Sequence, residues 1–231
     1  MSKRPSLLIF ALTTLLPLSF ASLAGAQEHS KLDDPYIGVN LHLGFGGSES
    51  YEVGNNSWNR DLTASFGLAG RYVYPLHAYF ALGASLGITS WRGTSDSDDG
   101  SRNLLFDLLV LPTGKFALTR ELEVYVSVPI GLGLNSLNEV NRLGGFFDPF
   151  VQAFAEVEGN TAIGFAIGGM LGARYQLIES VGLLAEFGYI HHSFGHELTG
   201  TVGVGSFSRA GEPLSVDVSF GQFALNVGAY F

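Results

Sequence analysis

From residue 36 onward, large hydrophobic side chains recur at every second position along much of the chain. The last segment shows this most clearly, because its apolar residues alternate with smaller or more polar ones. A period of two is typical of β-strands, whereas an amphipathic helix repeats every three to four residues. We therefore predict eight strands, near residues 36–46, 62–74, 78–90, 103–118, 122–134, 161–177, 181–192 and 215–231.

The connections between these strands alternate between short and long. Short turns are expected at 75–77, 119–121 and 178–180, and long polar loops at 47–61, 91–102, 135–160 and 193–214. In an up-and-down barrel this alternation places all short turns on one rim and all long loops on the other. The predicted fold is all-β: an eight-stranded antiparallel up-and-down transmembrane β-barrel with short periplasmic turns and long extracellular loops.

The distribution of charge indicates which face of the barrel is outside. A soluble lipocalin-type barrel has the same period, but its apolar side faces inward and its exterior needs many charges. Along the central part of each predicted strand, no Asp, Glu, Lys or Arg falls on the apolar face, and few fall on the other. An Arg or Lys facing lipid at the bilayer midplane costs roughly 2–4 kcal/mol. The pattern therefore favours a membrane barrel over a soluble one.

The first 26 residues are predicted to be a signal peptide, followed by an outer-membrane β-barrel domain at 27–231. Lys3 and Arg4 precede an apolar stretch at 7–23, and Ala24-Gly25-Ala26 has the small-x-small form of a cleavage site. Export fits a location in the cell outer membrane. Beyond this segment no uninterrupted run of 18 apolar residues occurs, so we expect no transmembrane helix.

Composition limits the available chemistry. The chain contains no Cys, which excludes disulfides, thiolate metal sites and thiol nucleophiles. Without residues 1–26, ten Lys and Arg stand against 21 Asp and Glu, a net charge of −11, and this argues against nucleic acid as a partner. The acidic run at 96–99 lacks the alternating spacing of a calcium loop. We expect neither a cofactor nor a metal site.

Charged residues on the polar face are predicted to point into the lumen. They are Arg71, Asp107, Lys115, Glu123, Arg174 and Glu186. The interior of an eight-stranded barrel is just wide enough to be filled by side chains. We therefore expect an ion-pair network that plugs the lumen, with Arg174 and Glu186, on adjacent strands, as the leading pair. The alternative is a gate for ions or small solutes.

The third long loop carries an unusual apolar surface. Its members are Phe146, Phe147, Phe150, Val151 and Phe154. Asp148-Pro149 has the form of a helix start and Gly159 that of a helix stop, and the apolar residues between them recur at helical spacing. A short helix is predicted here. It either packs on the barrel mouth or contacts a partner or the outer leaflet.

Two stretches carry a resemblance to a known family. Residues 172–189 are similar to the sixth strand, turn and seventh strand of the small OmpA/OmpX-type outer-membrane β-barrel proteins of Gram-negative bacteria, and the last strand ends in an aromatic residue as theirs does. In that family the terminal pattern is read by the barrel-assembly machinery. The resemblance implies this role for Phe223, Leu225, Val227, Ala229 and Phe231. It implies fold and location, since members range from structural anchors to adhesins and enzymes.

Segment 199–219 is expected to extend the last two strands as a hairpin above the membrane. OmpX-like members are thought to engage other proteins through such a protruding edge.

One motif raises an enzymatic alternative. His191 and Ser193 are predicted to face lipid near the long-loop rim, with Asp217 on the same face of the next strand. This is similar to the lipid-facing triad of lipid A deacylase barrels, in which the base activates the hydroxyl. However, a loop of over 20 residues precedes the acid, and Phe194 stands where that motif has Asn. The simpler interpretation is that these are polar residues at the end of a strand, near the membrane interface.

These patterns predict a non-enzymatic, integral outer-membrane protein with a structural or surface-interaction role through its extracellular loops. The alternatives are a passive porin-like channel for small solutes and, less favoured, the lipid A deacylase. Expected partners are outer-membrane lipids, lipopolysaccharide, the barrel-assembly machinery and an unknown extracellular protein ligand.

Overall fold

A computed structural model describes residue 32 and residues 34–53, 56–93, 102–137, 153–157, 160–204 and 207–231. The predicted signal peptide and the acidic run at 96–99 lie outside the described residues, so both stay predictions. The strands are β1 (Tyr36–Val53), β2 (Asn56–His77), β3 (Phe80–Gly93), β4 (Arg102–Ala117), β5 (Leu122–Ser127), β6 (Ile130–Leu137), β7 (Ala153–Val157), β8 (Asn160–Ile178), β9 (Val181–Val204) and β10 (Phe207–Tyr230). Within the described part, no helix is both long and apolar enough to cross a membrane.

The strands close into an antiparallel ring. β1 pairs with β2 on one side and with β10 on the other, and the remaining strands pair in sequence around the barrel. β5 and β6 both pair with β4 and with β8, so they are two pieces of one barrel strand. With these two counted as one, and β7 outside the ring, the barrel has eight strands. The predicted fold class is confirmed.

The division between β5 and β6 follows from Pro129. Proline has no backbone N–H, so one ladder hydrogen bond is missing at this point. The neighbouring bonds persist: the Val128 amide donates to the Pro112 carbonyl at 3.0 Å, and the Pro129 carbonyl accepts from Gly168 at 2.9 Å. The barrel wall is therefore continuous here.

The apolar side of each strand faces outward, as predicted. Exposed side chains include Leu41, Leu68, Leu108, Ile163 and Leu183, each about half exposed or more. Leu62 is an exception, because it was predicted to face outward and is instead buried. A register shift between Leu62 and Ser65 inserts one extra residue in β2 and reverses the alternation above it.

A second bulge redirects the upper part of β1. Gly46 and Gly47 have φ of 60° and 98°, a region that favours glycine. A Cβ on Gly47 would lie 2.0 Å from the Gly221 carbonyl oxygen. Beyond this bulge, odd-numbered rather than even-numbered residues face inward, and Glu49 is fully buried.

Three predicted connections differ from the structure. The loop predicted at 193–214 is strand at all of its described residues, which belong to β9 and β10. The loop predicted at 47–61 is mostly strand, since β1 and β2 continue as a paired hairpin up to Val53 and Asn56. The turn predicted at 75–77 is displaced to residues 78–79. In contrast, the predicted extension of the last two strands is confirmed, because β9 and β10 pair up to Val204 and Phe207.

The helix predicted in the third long loop is wrong where the structure describes it. Residues 153–157, including Phe154, form β7, which pairs antiparallel with residues 200–204 of β9. A free strand edge on the protruding hairpin supplies hydrogen-bond partners that outweigh the helical spacing of the side chains. Phe146, Phe147, Phe150 and Val151 lie outside the described residues.

Candidate functional site

The lumen is closed near the short-turn rim by a buried apolar layer, here called the floor. It consists of Leu32, Tyr36, Val73, Ala81, Leu184 and Tyr230. The Tyr36 and Tyr230 rings lie 5.2 Å apart between centroids, on the paired strands β1 and β10. Tyr230 occupies space that glycine leaves open, since a Cβ on Gly182 would lie 2.2 Å from its ring.

Directly against the floor lies the first ion-pair group. Arg174 and Glu123 are register partners on β8 and β5, and the guanidinium donates two hydrogen bonds to the carboxylate, at 2.7 and 3.1 Å. The Arg174 guanidinium also stacks over the Tyr36 ring at 4.6 Å from its centroid. Lys115 Nζ lies 3.6 Å from the same Glu123 carboxylate. Such bidentate, charge-assisted contacts are among the stronger polar interactions in proteins.

The second ion-pair group spans the lumen. Arg71 on β2 donates two 2.5 Å hydrogen bonds to both carboxylate oxygens of Glu186 on β9. Glu186 also accepts from the Tyr125 hydroxyl at 3.0 Å and the Asn226 amide at 3.1 Å. Its buried carboxylate is therefore held by four hydrogen bonds to three residues, and these bonds offset part of the cost of removing the charge from water.

Glycine positions the tyrosine of this group. Tyr125 lies across Gly172 on the neighbouring strand, and a Cβ on Gly172 would come within 2.4 Å of the Tyr125 ring. The missing side chain lets the ring lie flat against the wall and brings its hydroxyl to Glu186.

The leading pair expected from the sequence is wrong. Arg174 binds Glu123, and Glu186 binds Arg71. Glu186 is the register partner of Gly172, two residues from Arg174. Because β2 and β9 are separated by β1 and β10 in the ring, only closure of the barrel brings Arg71 to Glu186.

Above the ion pairs lies a chamber. The centres of water-sized molecules have about 70 Å³ available in it, which is room for several waters. Its polar lining includes Asn40, His42 and Asn226, and its apolar lining includes Met170 and Ile190. His42 Nδ1 lies 2.9 Å from Asn226 Oδ1, which links the chamber to Glu186.

Asp107, the sixth predicted lumen charge, stands apart from the other five. It lies 3.2 Å from His192 Nε2 in the chamber wall, and no Lys or Arg pairs with it among the described residues. The structure therefore brings Arg71, Lys115, Glu123, Arg174 and Glu186 into two adjoining groups and places Asp107 higher in the lumen.

A buried aromatic layer, here called the ceiling, closes the lumen above the chamber. It consists of Leu62, Trp91, Leu105, Ala162, Phe194 and Phe220. Phe220 is central: its ring centroid lies 4.8 Å from Trp91, 5.7 Å from Phe194 and 4.8 Å from the His192 ring. Aromatic stacking here takes the place that ion pairs hold below.

Near the ceiling, several buried polar side-chain atoms have no hydrogen-bond partner among the residues that the structure describes. They include both polar atoms of the Asn135 amide, both ring nitrogens of His196 and the Trp91 indole nitrogen. Each such atom costs roughly 1–3 kcal/mol if it stays unpaired. Below the ceiling, Arg71 Nε and Asn40 Oδ1 are also buried without a partner among the described residues, so such atoms are fewer in the lower lumen but not absent from it.

The three residues of the proposed lipid A deacylase triad lie on the outward face, but the acid is too far from the histidine to form a triad. His191, Ser193 and Asp217 are all exposed. Asp217 is the register partner of Gly195, whereas His191 pairs with Gly221, four residues away along β10. At about 3.3 Å per residue this separates the acid from the base by ~13 Å. No hydrogen bond joins the three residues.

The predicted assembly-signal residues also face outward on β10. Phe223, Val227 and Phe231 are exposed, and Leu225 and Ala229 are half-buried. Phe223 stacks with Phe45 and Phe187 on the flanking strands, with centroids 6.4 and 6.0 Å away. Their recognition by an assembly machinery stays a prediction.

The sequence analysis did not name several residues of the lumen. The alternation of the predicted strands implies that five of them face inward, but it does not show what they contact: Tyr36, His42, Tyr125, His192 and Asn226. Leu32 carried no such signal, because it precedes the first predicted strand. Among the described residues, no three His, Asp or Glu side chains are grouped as metal ligands.

No protein-family model matches the chain, and no curated protein matches it. Several solved structures do. The outer membrane protein OprG from Pseudomonas aeruginosa is 15% identical, with a TM-score of 0.49, and the match covers 89% of this chain and 98% of OprG. The outer membrane protease OmpT from Escherichia coli is 9% identical, with a TM-score of 0.45 and coverage of 89% and 98%. Neisserial surface protein A is 13% identical, with a TM-score of 0.43 and coverage of 85% and 95%.

At such identities a likeness concerns the fold alone, and here the fold is established by the strand pairing. The chain has the fold of an eight-stranded antiparallel up-and-down β-barrel. Because one matched structure is a protease and others are not enzymes by name, the matches do not decide between an enzymatic and a non-enzymatic role.

Proposed function

We propose that the protein is an integral, non-enzymatic barrel of the cell outer membrane. It is closed to solutes and acts through its outer surface and its extracellular hairpins. The observation that carries this proposal is the outward face, where apolar side chains such as Leu86, Leu132 and Leu171 are 64%, 55% and 62% exposed. In water this surface would drive aggregation, whereas in lipid it is the surface that a spanning barrel requires.

The filled lumen supports a structural role over a channel. A solute would have to cross the floor, two ion-pair groups and the ceiling in turn. The Arg71–Glu186 pair spans the lumen between two strands that are not neighbours, and both of its side chains are nearly fully buried. The chamber between these layers has room only for several water molecules or a similarly small molecule.

The protruding hairpins supply the surface for a partner. Above the apolar band, β9 and β10 continue to Val204 and Phe207, and β7 adds a further strand beside β9. An extracellular protein ligand would bind this sheet, while lipopolysaccharide and lipids surround the band below. The barrel-assembly machinery would read the terminal residues of β10.

Two measurements test the proposal. In a purified outer-membrane fraction the protein should show heat-modifiable migration on a gel, because a closed barrel resists detergent until it is boiled. In planar bilayers it should show no steady conductance steps. Protein dissolved in the periplasm without detergent would contradict the location, and steady conductance would favour the channel alternative.

The enzymatic alternative has its own test. If the outward residues formed a deacylase, expression of the protein would remove an acyl chain from lipid A. The Ser193→Ala variant would leave that acyl chain in place. We expect identical lipid A mass spectra with the parent and the variant, since Asp217 lies on the far side of Ser193 from His191.

A further inference from the structure

Leu32 lies outside the strands and yet is among the most completely buried residues described. Its side chain is 1% exposed and packs in the floor with Tyr36, Val73 and Leu184. Asp34 and Pro35, which connect it to β1, are exposed. Leu32 is therefore buried in the lumen, although the described residues between it and β1 are exposed.

The barrel holds Leu32 by its backbone as well. Arg174 Nη2 donates a hydrogen bond to the Leu32 carbonyl oxygen. The same guanidinium is fixed by Glu123 and by stacking on Tyr36. Arg174 thus joins the first ion-pair group to a residue that belongs to no strand.

Leu32 also fills the space at this end of the lumen. The cavity that remains between Asp34, Tyr36, Ala81, Lys115 and Arg174 leaves only about 10 Å³ for the centres of water-sized molecules, roughly one water. This is the rim of the short turns, because the β1 residue Ile37 exchanges backbone hydrogen bonds with the C-terminal Phe231 here.

We propose that Leu32 is a plug that seals the periplasmic opening of the lumen. It is the one component of the described floor that takes no part in a strand, so it can leave without breaking the ladder of the barrel. The inference rests on the proposed closed lumen and adds to it: the periplasmic seal is a residue outside the strands, whereas the residues of the ion pairs and the ceiling belong to the wall.

The absence of native Cys allows a direct test by thiol labelling. Ala81→Cys places one thiol in the floor against Leu32, and Ser65→Cys places one above the ion pairs. Folded protein, recognised by its heat-modifiable migration, is treated with a small charged methanethiosulfonate. We expect the Ala81→Cys thiol to react at least about tenfold faster when Leu32→Ala is added, since truncation of a buried leucine removes most of its packing.

Two comparisons make the result specific. Leu118→Ala, the same truncation at an exposed leucine of the same rim, should leave the rate at the Ala81→Cys thiol unchanged. The Ser65→Cys thiol should stay slow with Leu32→Ala, because the Arg71–Glu186 pair still lies between it and the opening. An unchanged rate at the Ala81→Cys thiol with Leu32→Ala, or an equal rise with Leu118→Ala, would overturn the plug.

A second variant keeps the test decisive if Leu32→Ala does not fold. Arg174→Lys retains a cation for Glu123 but loses the planar group that reaches the Leu32 carbonyl. It should raise the labelling rate of the Ala81→Cys thiol about threefold, and no rise would contradict the proposal. Conductance of the parent protein, in contrast, would disprove the closed lumen while leaving the labelling result intact.

Discussion

The lower and upper halves of the lumen are closed by different chemistry. Below the chamber, two bidentate ion pairs form the closure, Arg71 with Glu186 and Arg174 with Glu123. Above it, stacked rings around Phe220 form the closure, and polar atoms beside them stay unpaired. The lower closure depends on the match of each charge with its partner, whereas the upper one depends on packed volume. Substitutions should therefore have different consequences in the two halves.

The largest effect is expected from removing one carboxylate of the lower half. Glu186→Ala leaves the Arg71 guanidinium buried without its partner, which typically costs about 3–5 kcal/mol. Urea unfolding in lipid vesicles, followed by gel migration, measures the loss. The double variant Arg71→Leu with Glu186→Leu removes both charges and should recover much of the stability. If the Glu186→Ala protein had the stability of the parent and no conductance, the ion pair would have no role in closing the lower half of the lumen.

A smaller loss is expected from truncating the centre of the ceiling. Phe220→Ala removes the ring that contacts Trp91, Phe194 and His192, and the free energy of unfolding should fall by about 3 kcal/mol. Phe220→Leu, which keeps most of the volume, should lose less than half of that. If the leucine variant were as unstable as the alanine variant, packed volume would not be what closes the upper half.

The smallest expected effect has the opposite sign. Asn135 is fully buried, and within the described part of the chain both of its side-chain polar atoms lack partners. Asn135→Leu replaces these atoms with methyl groups and should raise the free energy of unfolding by roughly 1 kcal/mol. The matched control is Asn226→Leu in the lower half, which loses bonds to Glu186 and His42 and should be destabilising. Equal signs for the two variants would contradict the contrast between the halves.

The strand pattern illustrates how far periodicity can be trusted. The outward face was predictable at Leu41 and Leu108 because a pleated strand alternates strictly. The prediction failed at Leu62, because a bulge adds one residue to β2 and reverses which residues above it face outward. The helix expected around Phe154 failed for a related reason, since hydrogen bonding to β9 decided the conformation of residues 153–157.

The candidate site was predictable as a set of residues but not as a set of contacts. Arg71, Lys115, Glu123, Arg174 and Glu186 were all placed inside the barrel by alternation alone. Which cation meets which carboxylate depends on register and on the curvature of the wall. The strand register places Glu123 opposite Arg174. The curvature of the closed wall brings Arg71 within hydrogen-bond distance of Glu186.

The sequence by itself determined the period of the strands, the apolar side that meets lipid and the residues that face inward, because these depend only on neighbours along one strand. The tertiary structure alone decided the ion-pair partners, the aromatic ceiling and the burial of Leu32 in the floor. These contacts join strands that are distant in sequence, and they exist only once the first and last strands have paired and the barrel has closed.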